Sequence, residues 1–345
     1  MAVARRLYQN RAMLHVTNGD AAVERMRAAG IAGDILPWRD VLHEGPVPAG
    51  VALRELSSVR ARFIAEAGWG ALAAVGRDFA ARDAAIAAYA DHDELVLWFE
   101  HDLYDQLQLV QVLAWLADEG GVRARAAANE PARVSLVQTD DYLGTIAVER
   151  LQPLFERRAP VREPQLAVAV DAWRAFTAPD PTEIERFLAG APGLLPFLAA
   201  ALRRHLEELP WVERGLSRTE RQALEAIATG PTALADAYRA AHHEREGAIF
   251  LGDAVFAWIL ERLGARASVP LAALDDGRPF AREGGGPALW RRRVALTDAG
   301  RAVLAGELDH VRANGIDRWL GGVHLCGRDA RWRWDGVRGS VVAGS

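Results

Sequence analysis

Four short apolar runs, "MLHV", "DILPW", "ELVLWF" and "RVSLVQ", constrain this chain more than any other feature. Each has strand length, and the first two are separated by "AAVERMRAAG", in which Ala22, Val23, Met26 and Ala29 fall at helical spacing. Strands that alternate with helices predict a parallel sheet, because parallel neighbours need a crossover and cannot be joined by a tight turn. Residues 13–150 are therefore expected to form an α/β domain with a Rossmann-like parallel sheet. Asp20 is placed to cap its first helix and Gly30 to end it, and a long helical excursion runs from about Leu53 to Ala90.

The pattern then changes. Residues 160–210 read as an all-helical linker bundle, with "PQLAVAVDAWRAFTA", "DPTEIERFLAG" and "LPFLAAALRRHLEEL" as its helices. Residues 211–306 open on a capping box, Ser217 to Glu220, and continue as helices followed by the strand in "LWRRRVALTDAGRAVL", the order of a winged-helix-like domain. The tail, 307–345, reads in "IDRWLGGVHLCGRDARWRWDG" as a short helix, beginning at "IDRWL", and a hairpin turning at Gly327, Arg328 and Asp329. Residues before Met13 read as a loose extension.

Composition narrows the function classes. At 345 residues the chain exceeds the usual single-domain size, and its net charge of -5 gives no general attraction to nucleic acid or anionic membrane. All 41 basic residues are arginine in an alanine-rich chain, a compositional bias with no functional reading attached. The single cysteine, Cys326, excludes an internal disulfide, and no cysteine cluster offers a zinc site. The longest apolar segments fall short of a bilayer span, and the amino terminus has no apolar core of signal-peptide length, so the expectation is a cytoplasmic protein.

Each strand of the first domain ends in a polar cluster. The first runs into Thr17, Asn18, Gly19 and Asp20. The second runs into Trp38, Arg39 and Asp40, then His43 and Glu44. The third runs into Glu100, His101, Asp102, Asp105 and Gln106, and the fourth into Gln138, Thr139, Asp140 and Asp141. In an open parallel sheet ligands bind beyond the carboxyl ends of the strands, which would bring these clusters to one cleft. Taken singly, each also reads as structure: "TNGD" as a turn with a helix cap, and Asp102, Asp105 and Gln106 as a solvated first helical turn. His43 and His101 are candidate acid–base groups beside carboxylates, with Asp102 as their catalytic partner. The carboxylates Asp40, Glu44, Glu100, Asp102 and Asp105 could hold a divalent ion such as magnesium or receive a cationic substrate. A Gly-x-Ser-x-Gly elbow, a Walker motif and a Gly-x-Gly-x-x-Gly turn are absent, which removes the commonest hydrolase, P-loop and dinucleotide readings.

The segments "LHVTNGDAA", "GDILPWRDVLHEGPVP", "LVLWFEHDLYDQLQL" and "IDRWLGGVHL" together resemble the bacterial domain-of-unknown-function family numbered 1835. The resemblance implies a Rossmann-like amino-terminal domain and brings no reaction or ligand with it. From the residues, the expectation is a protein that binds a small polar ligand at the sheet edge, as a metal-assisted hydrolase or transferase acting on a nucleotide or another phosphorylated metabolite. The rival expectation is a non-catalytic ligand-sensing regulator or adaptor whose carboxy-terminal unit contacts DNA or protein. DNA is the less favoured partner, because "PTALADAYRAAHHEREG" mixes acids with its few bases.

Overall fold

The computed structural model describes residues 12–344 apart from 129–132, 191–192 and 278–286. The loose extension expected before Met13 lies, except for Ala12, outside the described residues.

The expected parallel sheet is present. Strands β1 (Leu14–Thr17), β2 (Asp34–Pro37), β3 (Gly45–Pro46), β4 (Leu95–Phe99), β5 (Val134–Gln138) and β6 (Ala159–Pro160) belong to the first half of the chain. Five of them make one sheet in the order β2-β1-β4-β5-β6, parallel except for the β5–β6 pair. Pro37, which cannot donate a ladder hydrogen bond, sits at the end of the edge strand β2. Alternate residues of β4 face two apolar layers. Leu95, Leu97 and Phe99 join the main core, and Val96 and Trp98 join a second cluster with Ala22, Met26 and Leu151.

Helices cover both faces: α1 (Asp20–Ala28), α2 (Leu53–Glu66), α3 (Leu72–Ala87), α4 (Leu103–Ala117), α5 (Val122–Ala127) and α6 (Val148–Glu156). The expected helical excursion from Leu53 is made of two helices, α2 and α3, broken at Gly68, whose φ of 81° ends α2. Asp20 does not cap α1. The N-cap is Gly19, and Asp20 lies inside the first turn with its carboxylate drawn to Arg39. Almost every residue of α4 is buried, because it packs on the sheet and under α7 (Glu163–Thr177) of the linker, which continues through α8 (Thr182–Gly190) and α9 (Leu198–Leu206).

The third region carries α10 (Arg218–Ala226), β7 (Thr232–Ala233), α11 (Leu234–Tyr238), α12 (Asp253–Leu263), β8 (Ala272–Leu274), α13 (Pro287–Trp290), β9 (Arg293–Leu296) and α14 (Asp298–Ala305). The capping box read from the sequence forms: Glu220 N–H donates to Ser217 Oγ, and Ser217 N–H donates to Glu220 Oε2 at 2.8 Å. The three strands form an antiparallel sheet in the order β7-β9-β8.

The tail departs from expectation. After α15 (His310–Asn314) come β10 (Ile316–Gly321), β11 (Val323–Gly327), β12 (Trp332–Asp335) and β13 (Ser340–Ala343). "IDRWL", expected as helix, is a strand, and the hairpin turns at Gly321 and Gly322. Gly321 has a φ of 62°, and a Cβ on Gly322 would lie 1.8 Å from the Thr177 carbonyl oxygen, so only glycine fits this turn against α7. β10 also pairs in parallel with β3, which knits the tail into the first domain.

Candidate functional site

The order in which the strands are laid down reverses between the parallel neighbours β1 and β4, the position where an open parallel sheet leaves a crevice. Residues that follow these two strands meet there. Asn18, one residue past β1, donates from Nδ2 to Glu100 Oε1 at 2.8 Å and to Asp105 Oδ2 at 2.9 Å. Asp102 is the N-cap of α4 and accepts from the Asp105 N–H at 3.1 Å. Asp105 in turn accepts from the Glu100 N–H at 2.7 Å, so the strand end and the first helical turn lock each other. Leu143 N–H donates to Glu100 Oε1 at 2.7 Å, and Gln106 Nε2 donates to the Glu100 carbonyl.

One oxygen from each of Glu100, Asp102 and Asp105 lies within 4.8 Å of the others, and all three side chains are buried. Burial pushes the Glu100 carboxyl up to about 7, although Leu143 N–H and Asn18 pull the other way. Asp102 is pushed up to about 8 by burial and by the Glu100 charge. Asp105 is raised well above the ordinary range by burial and by both neighbours. Among the described residues, the leading influences on these three carboxyls include no arginine. Like charges this close in a dry site cannot all ionise, so the cluster keeps protons or exchanges them for a cation.

Other expected site residues are placed elsewhere. Asp40 is buried in an ion pair with Arg60 at 3.0 Å, and Glu44 is buried against Arg318 of β10. Arg60 also donates to the carbonyls of Val41 and Glu44, so the second-strand loop is curled around buried guanidinium groups and its acids hold structure. Asp20 and Arg39 pair at the surface. Thr17 is buried at the end of β1, and Gly19 starts α1.

Among the described residues no hydrogen bond joins the imidazole of His43 or His101 to Asp102. His43 is buried, with both ring nitrogens unpartnered, and burial lowers it to about 3, too weak a base for work near neutral pH. His101 is half-buried, 5.1 Å from the Tyr142 ring; burial lowers its pKa against the pull of Asp140 and Asp141.

Three partners escaped the sequence reading. The Leu143 N–H leaves no side-chain signal. Tyr104, whose hydroxyl donates to the Asn18 carbonyl at 3.3 Å, and Tyr142, whose hydroxyl accepts from the Ile249 N–H, read as ordinary helix and loop aromatics. Beside the cluster, a cavity of about 400 Å³ opens between the sheet edge and the third region, lined among others by Arg39, His43, Tyr104 and Phe250. No protein-family model matches the chain, and no curated protein sequence matches it either.

Proposed function

We propose that the protein binds a divalent cation together with a small phosphorylated metabolite, a nucleotide being the first candidate, and acts as a metal-assisted hydrolase or transferase. The observation that carries this reading is the convergence of Glu100, Asp102 and Asp105 at the switch point of the sheet. The donor set fits magnesium or manganese, since hard oxygen ligands that lack a buried cation are what such ions require. Bound there, the ion would polarise a phosphoryl oxygen and make a water more acidic. Asn18 and the Leu143 N–H hold Glu100 in place, and His101, the half-exposed imidazole next to the cluster, is the acid–base candidate.

Calorimetric titration with Mg²⁺ and Mn²⁺ at pH 6 and pH 8.5 tests this, followed by a thermal-shift screen of nucleotides and sugar phosphates. Affinity for the ions should rise with pH, because binding must displace the protons that burial keeps on Glu100 and Asp102. Absence of ion binding at both pH values would sink the proposal.

The regulator reading has one supporting feature: helices α10 to α12 lie in the chain beside the three-stranded antiparallel sheet β7-β9-β8, the elements a winged-helix-like unit would need. Its charges argue for a covering role over a DNA-contacting one. Arg292 is paired with Asp276, and Ile249 and Phe250 reach Tyr142 and His43 of the first domain. We also propose kinship with family 1835. In support, the four segments that carry the resemblance lie at β1–α1, β2–β3, β4–α4 and β10, and β3 pairs with β10.

A further inference from the structure

We propose a second binding site, for an aromatic amine, in the cavity between the sheet edge and the third region. It stands independently of any ion at the carboxylate cluster. The cavity of about 400 Å³ is in the size range of small-molecule pockets. Its walls are Trp69 and Phe79 from the excursion after β2, Tyr104 from α4, and Phe250 and Val255 from the third region. Tyr104 is the partition between the two sites, its ring in the cavity wall and its hydroxyl on the Asn18 carbonyl.

The walls are suited to a flat ring. The ring edges already meet faces here: His43 and Phe250 pack at 5.1 Å and 89°, and Trp69 stands edge-on to Phe63 at 5.5 Å. The floor carries no charge to oppose a cation, because burial keeps His43 neutral. The mouth selects the sign of the ligand. Its cation, Arg39, is already held by Asp20 at 2.9 Å and feels Asp78 at longer range, whereas the exposed carboxylates of Asp78 and Asp253 form no ion pair among the described residues, so acids outnumber the one cation there. A ring carrying an ammonium group can therefore bury its apolar part and leave the charge between two acids, and a ring carrying a carboxylate meets repulsion there.

The walls come from two regions of the chain, so an occupant also joins them. The full chain, kept in chelator so that ions at the carboxylate cluster play no part, should be titrated calorimetrically with tryptamine and with indole-3-acetate. These probes share a ring and differ in charge. Tryptamine should bind at least about ten-fold more tightly. Asp78→Asn combined with Asp253→Asn should bring the two probes to similar affinity. Ala254→Trp and, from the opposite wall, Val75→Phe should each abolish binding; far-UV circular dichroism identifies a variant that has not folded, and the other then decides. The proposal fails if tryptamine gives no heat up to about 10 mM. It fails equally if indole-3-acetate binds as well, or if tryptamine binding survives in a folded cavity-filling variant.

Discussion

Asp102 has two tasks that can be separated by one substitution. It caps α4, which an amide does as well as a carboxylate, and it contributes charge to the cluster, which an amide does not. Its folded pKa of about 8 lies above the ordinary value of 3.8, so the native state holds a proton that the unfolded chain releases. Stability in chelator is therefore greatest at low pH with respect to this group and is lost as pH rises through about 8. Asp102→Asn should flatten that loss, raise stability at pH 8 by about 0.5–2 kcal/mol, and abolish the response to Mg²⁺. Chemical denaturation in chelator at pH 5 and pH 8 measures the first two. His43 works in the opposite direction. Its folded pKa of about 3 lies below the ordinary 6.5, so its contribution is present above 6.5 and is lost as pH falls toward 3. His43→Leu should raise stability by about 1 kcal/mol at pH 7, since two buried nitrogens have no partner, and should weaken the acid dependence that His205 and His242 share. A drop in stability at pH 7 would show that His43 is well satisfied in solution.

Elements differed in how far their local residues announced them. The α10 capping box is written in four residues, and Ser217→Ala should cost about 1 kcal/mol in equilibrium unfolding. The buried strands were equally plain, because apolar runs of only about four to six residues with turn residues on their flanks are too short for a buried helix and suit a strand covered on both faces. The tail was not. "IDRWLGG" contains too few residues to separate helix from strand by period, and the choice is made by pairing: β11 folds back along β10, and β3 accepts the end of β10 as a parallel neighbour. The turn there depends on a contact with residues far back in the chain. Gly322→Ala would drive a Cβ into the Thr177 carbonyl, backbone against backbone, and should cost about 1–3 kcal/mol where most surface alanines cost nothing. A melting temperature unchanged by this substitution would show that the turn can move away from α7.

At the scale of the whole molecule, one guanidinium joins three regions. Arg318 of β10 binds Glu44 after β2 and Glu208 after α9, all three nearly fully buried. Burial alone would raise the Glu208 carboxyl, but Arg204 and Arg318 outweigh it and hold it well below the usual range. Arg318→Met would leave the buried Glu44 carboxylate without its ion-pair partner and Glu208 with Arg204 alone, and should cost about 3–5 kcal/mol. The loss should appear as a downward shift of a single unfolding transition, because the tail ties two regions together: β10 pairs with β3 of the first domain, while Asn314 bonds Val269 and Trp334 pairs with Trp211 of the third region. Two separate transitions in the wild-type protein would contradict that picture.

What the sequence determined by itself was the set of local commitments: strands where apolar runs have strand length, helices where the period is 3.6, a capping box, and polar residues at strand ends. That the third-strand cluster belongs to a site was legible in part, since Glu100, Asp102 and Asp105 are neighbours in the chain and helical geometry alone brings the two aspartates together. Asn18 and Leu143 could join them only through the strand order, which no local pattern specifies. The fates of Asp40 and Glu44 were likewise decided in three dimensions. An acid at a strand end has the same local appearance whether it faces a crevice or a buried arginine, and Arg318 lies 274 residues from Glu44 in the chain. Charge pairing of that range is settled when the core closes, because the cost of burying a carboxylate alone leaves only the partners that the fold happens to bring within reach.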